Sequence, residues 1–238
     1  MNDSPRVDLG KRAVGYAAVD QFVEDGTCIG LGTGTTTYWA IERVAQRVAA
    51  GERITAVATS EQTASLCRLW NIPLVGLLEH EMPVAIDGAD EVALDWALIK
   101  GGGGALFREK AVALVAERFV VVVTPPKLVS VLGAFPLPVE IVPFAERYVV
   151  REISRWNPNV EIARRGGDVP FVSDNGNWIL DCHFGRIEEP GTLDVALRAI
   201  HGVVATGIFV AIADVVMVGD ENGEVRSLPA YDARLRLP

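Results

Sequence analysis

The first half of the chain alternates segments of helical periodicity with short apolar runs that are typical of strands. Val14, Ala18 and Phe22 recur at i, i+4 and i+8, which predicts an amphipathic helix that stops near Gly26. The run over 119–123 is continuous and rich in valine, as expected of a strand buried on both faces. Because strands that alternate with helices build βαβ units, we expect a mostly parallel sheet flanked by helices.

The second half has a different order of elements. We predict a strand at 138–142, a helix at 146–156, strands at 160–164 and 178–182, a helix at 192–200 and an extended segment at 203–209. This β-α-β-β-α-β order is the split, ferredoxin-like arrangement. A strand at 215–218 is then expected to return to the first sheet. We therefore predict an α/β catalytic domain formed by 1–132 and 207–238, with a smaller α+β domain inserted at 133–206.

Composition and charge exclude several classes of protein. Half of the 238 residues are hydrophobic, which is enough for a sizeable core and excludes a disordered chain. The 22 basic and 31 acidic residues give a net charge of −9, which argues against a nucleic-acid partner, because duplex binding needs a basic face. The sequence shows no signal peptide and no apolar run of the ~18 residues that span a membrane. We expect a cytoplasmic protein with no membrane partner.

Cysteine and histidine offer little chemistry. Cys28, Cys67 and Cys182 are far apart and form no CxxC pair, so we expect reduced structural thiols and neither a disulfide nor a zinc site. The three histidines lie outside the motifs described next. Any general base is therefore expected to be a carboxylate.

A short apolar run at 27–31 enters a glycine- and threonine-rich loop, GLGTGTTT at 30–37, after which helical spacing returns at 38–48. Consecutive backbone N–H groups at a helix N-terminus, together with threonine hydroxyls, can hold a phosphate. The loop is not a Walker motif, since no lysine follows, and Thr35 stands where a dinucleotide fingerprint needs its third glycine. The alternative is a tight strand–helix turn capped by threonine.

Two further motifs follow the strand at 84–86. DGADE at 87–91 places three carboxylates within five residues, either as ordinary turn residues or as acceptors for sugar hydroxyls or a divalent cation. KGGGGALFREK at 100–110 holds four consecutive glycines between Lys100 and Glu109. Glycine loses more backbone entropy on folding than any other residue, so a run of four destabilises the fold unless the backbone needs it. That backbone is suited to holding an anion.

Taken together, the three motifs resemble the A-type ribose-5-phosphate isomerases. The resemblance continues through the segments 135–140, 174–181 and 206–209, and so covers nearly the whole chain. Two departures are small: Thr35 stands where many members have serine, and Pro126 precedes Lys127 where serine is common.

The resemblance implies the interconversion of D-ribose 5-phosphate and D-ribulose 5-phosphate through an enediolate, in the non-oxidative pentose phosphate pathway. By matching position, Glu109 is the base that carries the proton between C2 and C1. Asp87 and Asp90 assist ring opening, and Lys100 stabilises the enediolate. No cofactor and no metal are implied, and a homodimer or homotetramer is expected. A 1,2-proton shift does require one reversible base and a donor beside the developing oxyanion.

The residues that the resemblance assigns to binding of the sugar phosphate come from all three motifs and from Lys127. They are Thr33, Gly34, Thr35, Thr36, Asp87, Gly88, Ala89, Asp90, Lys100, Gly101, Gly102, Gly103 and Lys127.

Two alternative functions belong to other classes. A sugar-phosphate-sensing regulator would need a DNA-binding module, yet only 29 residues precede Gly30, and it would have no use for Glu109 beside Lys100. A CoA-transferase-like enzyme would use a glutamate as nucleophile. Turnover with each class of substrate separates these alternatives from an isomerase.

Overall fold

The computed structural model describes residues 5–228, with side chains from Leu9 onward, and shows the predicted alternation of helices and strands. The helices are α1 Pro5–Phe22, α2 Thr37–Ala49, α3 Glu61–Leu69, α4 Leu106–Val115, α5 Glu146–Trp156 and α6 Pro190–Arg198. The strands are β1 Cys28–Leu31, β2 Thr55–Ala58, β3 Val84–Asp87, β4 Glu91–Val92, β5 Leu98–Ile99, β6 Phe119–Val123, β7 Leu137–Ile141, β8 Glu161–Arg164, β9 Trp178–His183, β10 Val203–Thr206, β11 Ile208–Phe209, β12 Val215–Gly219 and β13 Val225–Ser227.

The chain divides into two units. Unit 1 comprises Met1–Ala89, Arg108–Leu128 and Ile212–Pro238, and unit 2 comprises Asp90–Phe107 and Val129–Ala211. Unit 2 thus takes in residues 90–107, 129–132 and 207–211 in addition to the segment at 133–206. The bounds 133–206 of the inserted domain stay a prediction.

Unit 1 is built on a six-stranded sheet of order β13-β12-β6-β3-β1-β2, in which every pairing is parallel except that of β12 with β13. This confirms the α/β class and the mostly parallel sheet. All five residues of β6 are buried, as expected of a central strand covered on both faces. Val14 and Ala18 of α1 and Ile41 of α2 pack into the core of this sheet.

A glycine in β1 allows α4 to approach the sheet closely. A Cβ atom at Gly30 would lie 2.5 Å from Cγ1 of Val112 and 2.7 Å from Cβ of Ala85, distances that packed atoms do not reach. Gly30 therefore serves the packing of α4 on the sheet.

Unit 2 contains a four-stranded antiparallel sheet of order β10-β7-β9-β8. With α5 after β7 and α6 after β9, this is the split β-α-β-β-α-β arrangement, as predicted. Its core contains Val139 and Ile141 of β7, Val149 and Ile153 of α5, and Leu197 of α6.

The extended segment predicted at 203–209 is not one strand. It divides at Gly207, after which β11 leaves the four-stranded sheet and pairs with β5 in a separate sheet of order β11-β5-β4. The N–H of Gly207 donates to the carbonyl of Pro138, and its own carbonyl accepts from the N–H of Lys100, so this glycine connects both sheets.

The three cysteines are buried free thiols. Burial raises the pKa of Cys67 to about 11 and that of Cys182 to about 12, and it also raises the pKa of Cys28. Within 5–228, every helix is too short or too polar to cross a bilayer.

Candidate active site

The loop after β1 is tied to the strands on both sides of it. Thr33 donates its backbone N–H to Oδ1 of Asp87, 3.1 Å away at the end of β3. On the β2 side, the Thr33 hydroxyl donates to Oγ of Ser60 at 2.7 Å and lies 2.9 Å from Oγ1 of Thr59. Because β1 lies between β3 and β2, these contacts fix the loop at the carboxyl edge of the sheet, where open α/β sheets bind ligands.

Residues near the tip of this loop leave room for a ligand. Gly34 is exposed, has φ +132° and shows nothing within 4 Å of the place that a Cβ would take. Thr36 is the N-cap of α2, but its side chain makes no capping hydrogen bond, in contrast to the threonine-capped turn considered from the sequence. The N-terminus of α2 thus presents backbone donors beside the side chains of Thr35 and Thr36.

Asp87 is the most constrained of the predicted acidic residues. Its side chain is 2% exposed, and Oδ1 accepts from the N–H of Gly88 at 2.7 Å and from the hydroxyl of Thr37 at 3.3 Å. Gly32 packs against it so closely that a Cβ there would lie 1.9 Å from Oδ1. The second glycine of the loop is therefore needed for contact with this carboxylate.

Four further predicted site residues belong to unit 1: Gly88 and Ala89, which follow Asp87, and Glu109 and Lys127. Glu109 lies in the first turn of α4 and is 3% exposed. Its neighbour Arg108 forms an ion pair with Glu61 at 3.1 Å. Lys127 ends a 3-10 turn over Pro125–Lys127, which Thr124 joins to the end of β6. The loop after β1, Asp87 and Lys127 thus lie at or beyond the carboxyl ends of three adjacent parallel strands, while Glu109 comes from a helix.

Lys100, Asp90 and the glycines at 101–103 belong to unit 2. Lys100 follows β5 and is 2% exposed, with its Nζ 5.5 Å from the ring centroid of Phe209. Asp90 accepts at Oδ2 from the N–H of Gly102, at 2.8 Å. The carboxylate of Asp90 is thereby hydrogen-bonded to the glycine loop, residues 101–104.

Three of the four glycines have a separate structural reason. Gly101 has φ +100° and would place a Cβ 2.8 Å from that of Leu106. At Gly102, a Cβ would lie 2.7 Å from Oδ1 of Asp90. Gly104 has φ +86°, and a Cβ there would lie 2.4 Å from the ring of Phe171. The run of glycines therefore fits a backbone that is enclosed by neighbouring side chains, while Gly102 and Gly103 remain exposed.

The third acidic residue of DGADE has a structural role. Glu91 is 3% exposed, and its two carboxylate oxygens accept from the N–H groups of Gly133 and Phe135, each at 2.6 Å. Over the part of the chain that is described, no three His, Cys, Asp or Glu side chains are grouped so that they could hold a metal ion.

Sequence reasoning missed three hydroxyl residues that support the loop after β1 and an arginine that supports the glycines at 101–102. Thr59, Ser60 and Thr63 surround the Thr33 hydroxyl, and Thr63 also donates to the carbonyl of Gly32 at 2.7 Å. Thr59 and Ser60 directly follow β2, and a pair of hydroxyl residues after a short apolar run was an available signal. Arg165, which contacts the glycine loop, gave no comparable signal.

Comparison with known proteins identifies the family. The family described as ribose 5-phosphate isomerase A (phosphoriboisomerase A) matches residues 55–223. A ribose-5-phosphate isomerase A of Methanothermobacter thermautotrophicus is 45% identical over 215 residues, which cover 90% of this chain and 95% of that protein. The chain belongs to the ribose 5-phosphate isomerase A family. The resemblance stated from the three motifs is thus confirmed.

Solved structures of ribose 5-phosphate isomerases share the fold. That of the Methanocaldococcus jannaschii isomerase has a TM-score of 0.86 and 40% identity, and covers 93% of this chain and 98% of its own. A D-ribose-5-phosphate isomerase in complex with phospho-erythronic acid has a TM-score of 0.88 and 39% identity, with the same coverage of both chains.

Proposed function

We propose that this chain interconverts D-ribose 5-phosphate and D-ribulose 5-phosphate through an enediolate. Burial of charge is the observation that carries the proposal within the family. Charged residues are rarely buried, because burial removes the charge from water. Among residues 9–228, the buried charged residues are Lys11, Asp87, Glu91, Lys100, Glu109 and Glu140. Asp87, Lys100 and Glu109 are among these six, and the resemblance assigns chemistry to each of them. Asp90, the fourth residue with an assigned role, is half-buried.

Glu109 is the base in this proposal. It removes the proton from C2 of the open-chain aldose and returns it to C1, so that one carboxylate serves both directions. Its position in the first turn of a helix favours the negative charge, while its burial keeps water from the proton in transit.

Lys100 stabilises the oxyanion that grows as C2 loses its proton. A buried ammonium is worth more to a developing negative charge than a hydrated one, because the surroundings screen it less. The backbone N–H groups of Gly101 and Gly103 add further donors, while the N–H of Gly102 holds the carboxylate of Asp90. Asp87 and Asp90 accept from the sugar hydroxyls and assist ring opening.

The phosphate is held by the loop after β1. Thr33, Gly34, Thr35 and Thr36 present backbone and hydroxyl donors at the N-terminus of α2, and Lys127 adds a positive charge. Gly88 and Ala89 complete the binding surface for the sugar. Since a related isomerase has been solved in complex with phospho-erythronic acid, the same compound is expected to compete with ribose 5-phosphate here.

We also propose a cytoplasmic homodimer or homotetramer that needs no cofactor and no metal. The metabolic role of the family supports the compartment. Sedimentation equilibrium of the full chain measures the number of subunits, and a purely monomeric protein would overturn the assembly.

Incubation of the purified chain with ribose 5-phosphate tests the function. Ribulose 5-phosphate is expected to form, and unphosphorylated ribose is expected to react far more slowly, because it lacks the group that the β1 loop holds. Binding of ribose 5-phosphate without turnover would favour a sensing domain. Acyl exchange with a CoA thioester would favour a CoA-transferase.

A further inference from the structure

Arg165 connects the second unit's sheet to the glycine loop. It directly follows β8, and its Nε and Nη2 donate to the two carboxylate oxygens of Asp181 in β9, at 3.0 and 2.5 Å. Its remaining nitrogen, Nη1, donates to the carbonyl of Gly101 at 2.9 Å and to that of Gly102 at 3.2 Å. The planar guanidinium thus uses one edge for an ion pair and its other nitrogen for two successive carbonyls of the loop.

Phe171 completes the support of the loop from the same turn. Its N–H donates to the carbonyl of Arg165 at 2.9 Å, and its ring centroid lies 5.8 Å from the Arg165 guanidinium carbon. The same ring occupies the space beside Gly104. The turn from Arg165 to Phe171 therefore contacts the loop at Gly101 and Gly102 through a cation and at Gly104 through an aromatic ring.

Fixing these two carbonyls also fixes the N–H groups that follow them. A trans peptide is planar, so the N–H of each unit points away from its own C=O. The carbonyl of Gly101 shares a peptide with the N–H of Gly102, which donates to Asp90. The carbonyl of Gly102 shares one with the N–H of Gly103, in the exposed part of the loop. When a cationic group donates a hydrogen bond to a carbonyl oxygen, it polarises the peptide and makes the N–H of the same peptide a stronger donor.

We propose that Arg165 is a positioning residue for the isomerisation: it orients and polarises the glycine-loop amides and, through the N–H of Gly102, sets the place of the Asp90 carboxylate. The inference rests on the proposed function. It assigns to Arg165 and Asp181 a part in the reaction that neither performs by touching substrate.

Arg164 offers a closely matched control. Both arginines are partly buried, with side chains 28% and 16% exposed, and both form one carboxylate ion pair. Arg164 pairs with Glu146, lies over the ring of Trp178 and donates to the carbonyl of Gly167. The decisive difference is that the carbonyls contacted by Arg165 belong to the glycine loop.

The test compares Arg165→Met with Arg164→Met by steady-state kinetics with ribose 5-phosphate, well below the melting temperature of each variant. Arg165→Met is expected to lower kcat about 10–100-fold, because a misplacement of about 1 Å has effects of this order, with little change in KM. Arg164→Met is expected to keep kcat and KM near those of the parent. Arg165→Lys should restore only part of kcat, since one ammonium cannot serve both Asp181 and two carbonyls.

Equal kcat values for the two methionine variants would overturn the proposal. If Arg165→Met does not fold, the double variant Arg165→Met/Asp181→Leu removes the whole ion pair, a replacement that stable proteins often tolerate. The double variant is still expected to show the loss of kcat, and a parent-like kcat in it would equally refute the role.

Amide hydrogen exchange separates this inference from the proposed function. Faster exchange over residues 101–104 is expected in Arg165→Met and not in Arg164→Met, whether or not the chain turns over ribose 5-phosphate. An inactive parent would therefore refute the isomerase function, whereas unchanged exchange in Arg165→Met would refute the positioning by itself.

Discussion

Replacing Gly32 by alanine is expected to displace Asp87 and so disrupt both stability and turnover. The alanine Cβ would lie 1.9 Å from Oδ1 of Asp87, whereas ordinary contact begins at 3.4 Å, so the two groups must separate by 3.4 − 1.9 = 1.5 Å. A shift of this size breaks the hydrogen bonds of Oδ1 to the N–H of Thr33 and the hydroxyl of Thr37. At about 1.5–3 kcal/mol for each bond to a charged group, the loss is about 3–6 kcal/mol.

Two assays check this prediction. At about 2–4 °C per kcal/mol for a protein of this size, the melting temperature should fall by about 6–24 °C. The kcat for ribose 5-phosphate should fall at least ~100-fold, because the carboxylate moves by more than ~1 Å. Gly191→Ala is the control: its Cβ would meet nothing within 4 Å, so kcat should stay unchanged. A Gly32→Ala variant as stable and active as Gly191→Ala would refute the account of Asp87.

Three further predictions concern lysines, metals and thiols. Lys100→Met should raise the activation free energy of isomerisation by about 2–4 kcal/mol and so lower kcat, whereas Lys127→Met should mainly raise KM. If Lys100→Met changes KM alone, the oxyanion is stabilised by other donors. Activity should survive exhaustive EDTA treatment, and its loss with restoration by magnesium or zinc would make DGADE a metal site. Because burial raises the pKa of Cys28, Cys67 and Cys182, no thiol should react with a disulfide reagent at pH 8 until the protein unfolds. Below the ordinary thiol pKa of 9.0, these thiols are protonated in both the folded and the unfolded chain, and the fold keeps its full stability. As the pH rises towards 11 and 12, they ionise first in the unfolded chain, so the folded state loses stability and the midpoint of urea unfolding should fall over this range.

Local patterns were sufficient for the elements with a strong local signal, whether a continuous apolar run or a helical period. The valine-rich run of β6 and the amphipathic helix α5 have the predicted bounds, 119–123 and 146–156. Both are determined mainly by their own residues, through burial on two faces in one case and through one apolar face in the other. The strands β4 and β5 were missed because two residues are too few to show a period.

The candidate site residues were proposed from motifs, but the residues that support them were not. Asp87, Lys100 and Glu109 lie within short segments of unusual composition. Arg165 contacts Gly101, which lies 64 positions earlier in the sequence. Its partner Asp181 has no feature in the sequence that distinguishes it from other polar residues of strands. Such contacts arise only when the sheet of the second unit is assembled, so no local pattern predicts them.

Glu109→Gln tests the central claim most directly. The amide keeps the shape of the side chain but cannot accept the C2 proton, so kcat for ribose 5-phosphate should fall at least ~10²–10⁴-fold with a much smaller change in KM. Glu61→Gln serves as control, because it removes an exposed carboxylate that pairs with Arg108, the neighbour of Glu109, and should leave kcat near that of the parent. A Glu109→Gln variant that turns over ribose 5-phosphate as fast as Glu61→Gln would contradict the assignment of the base and, with it, the mechanism proposed for this chain.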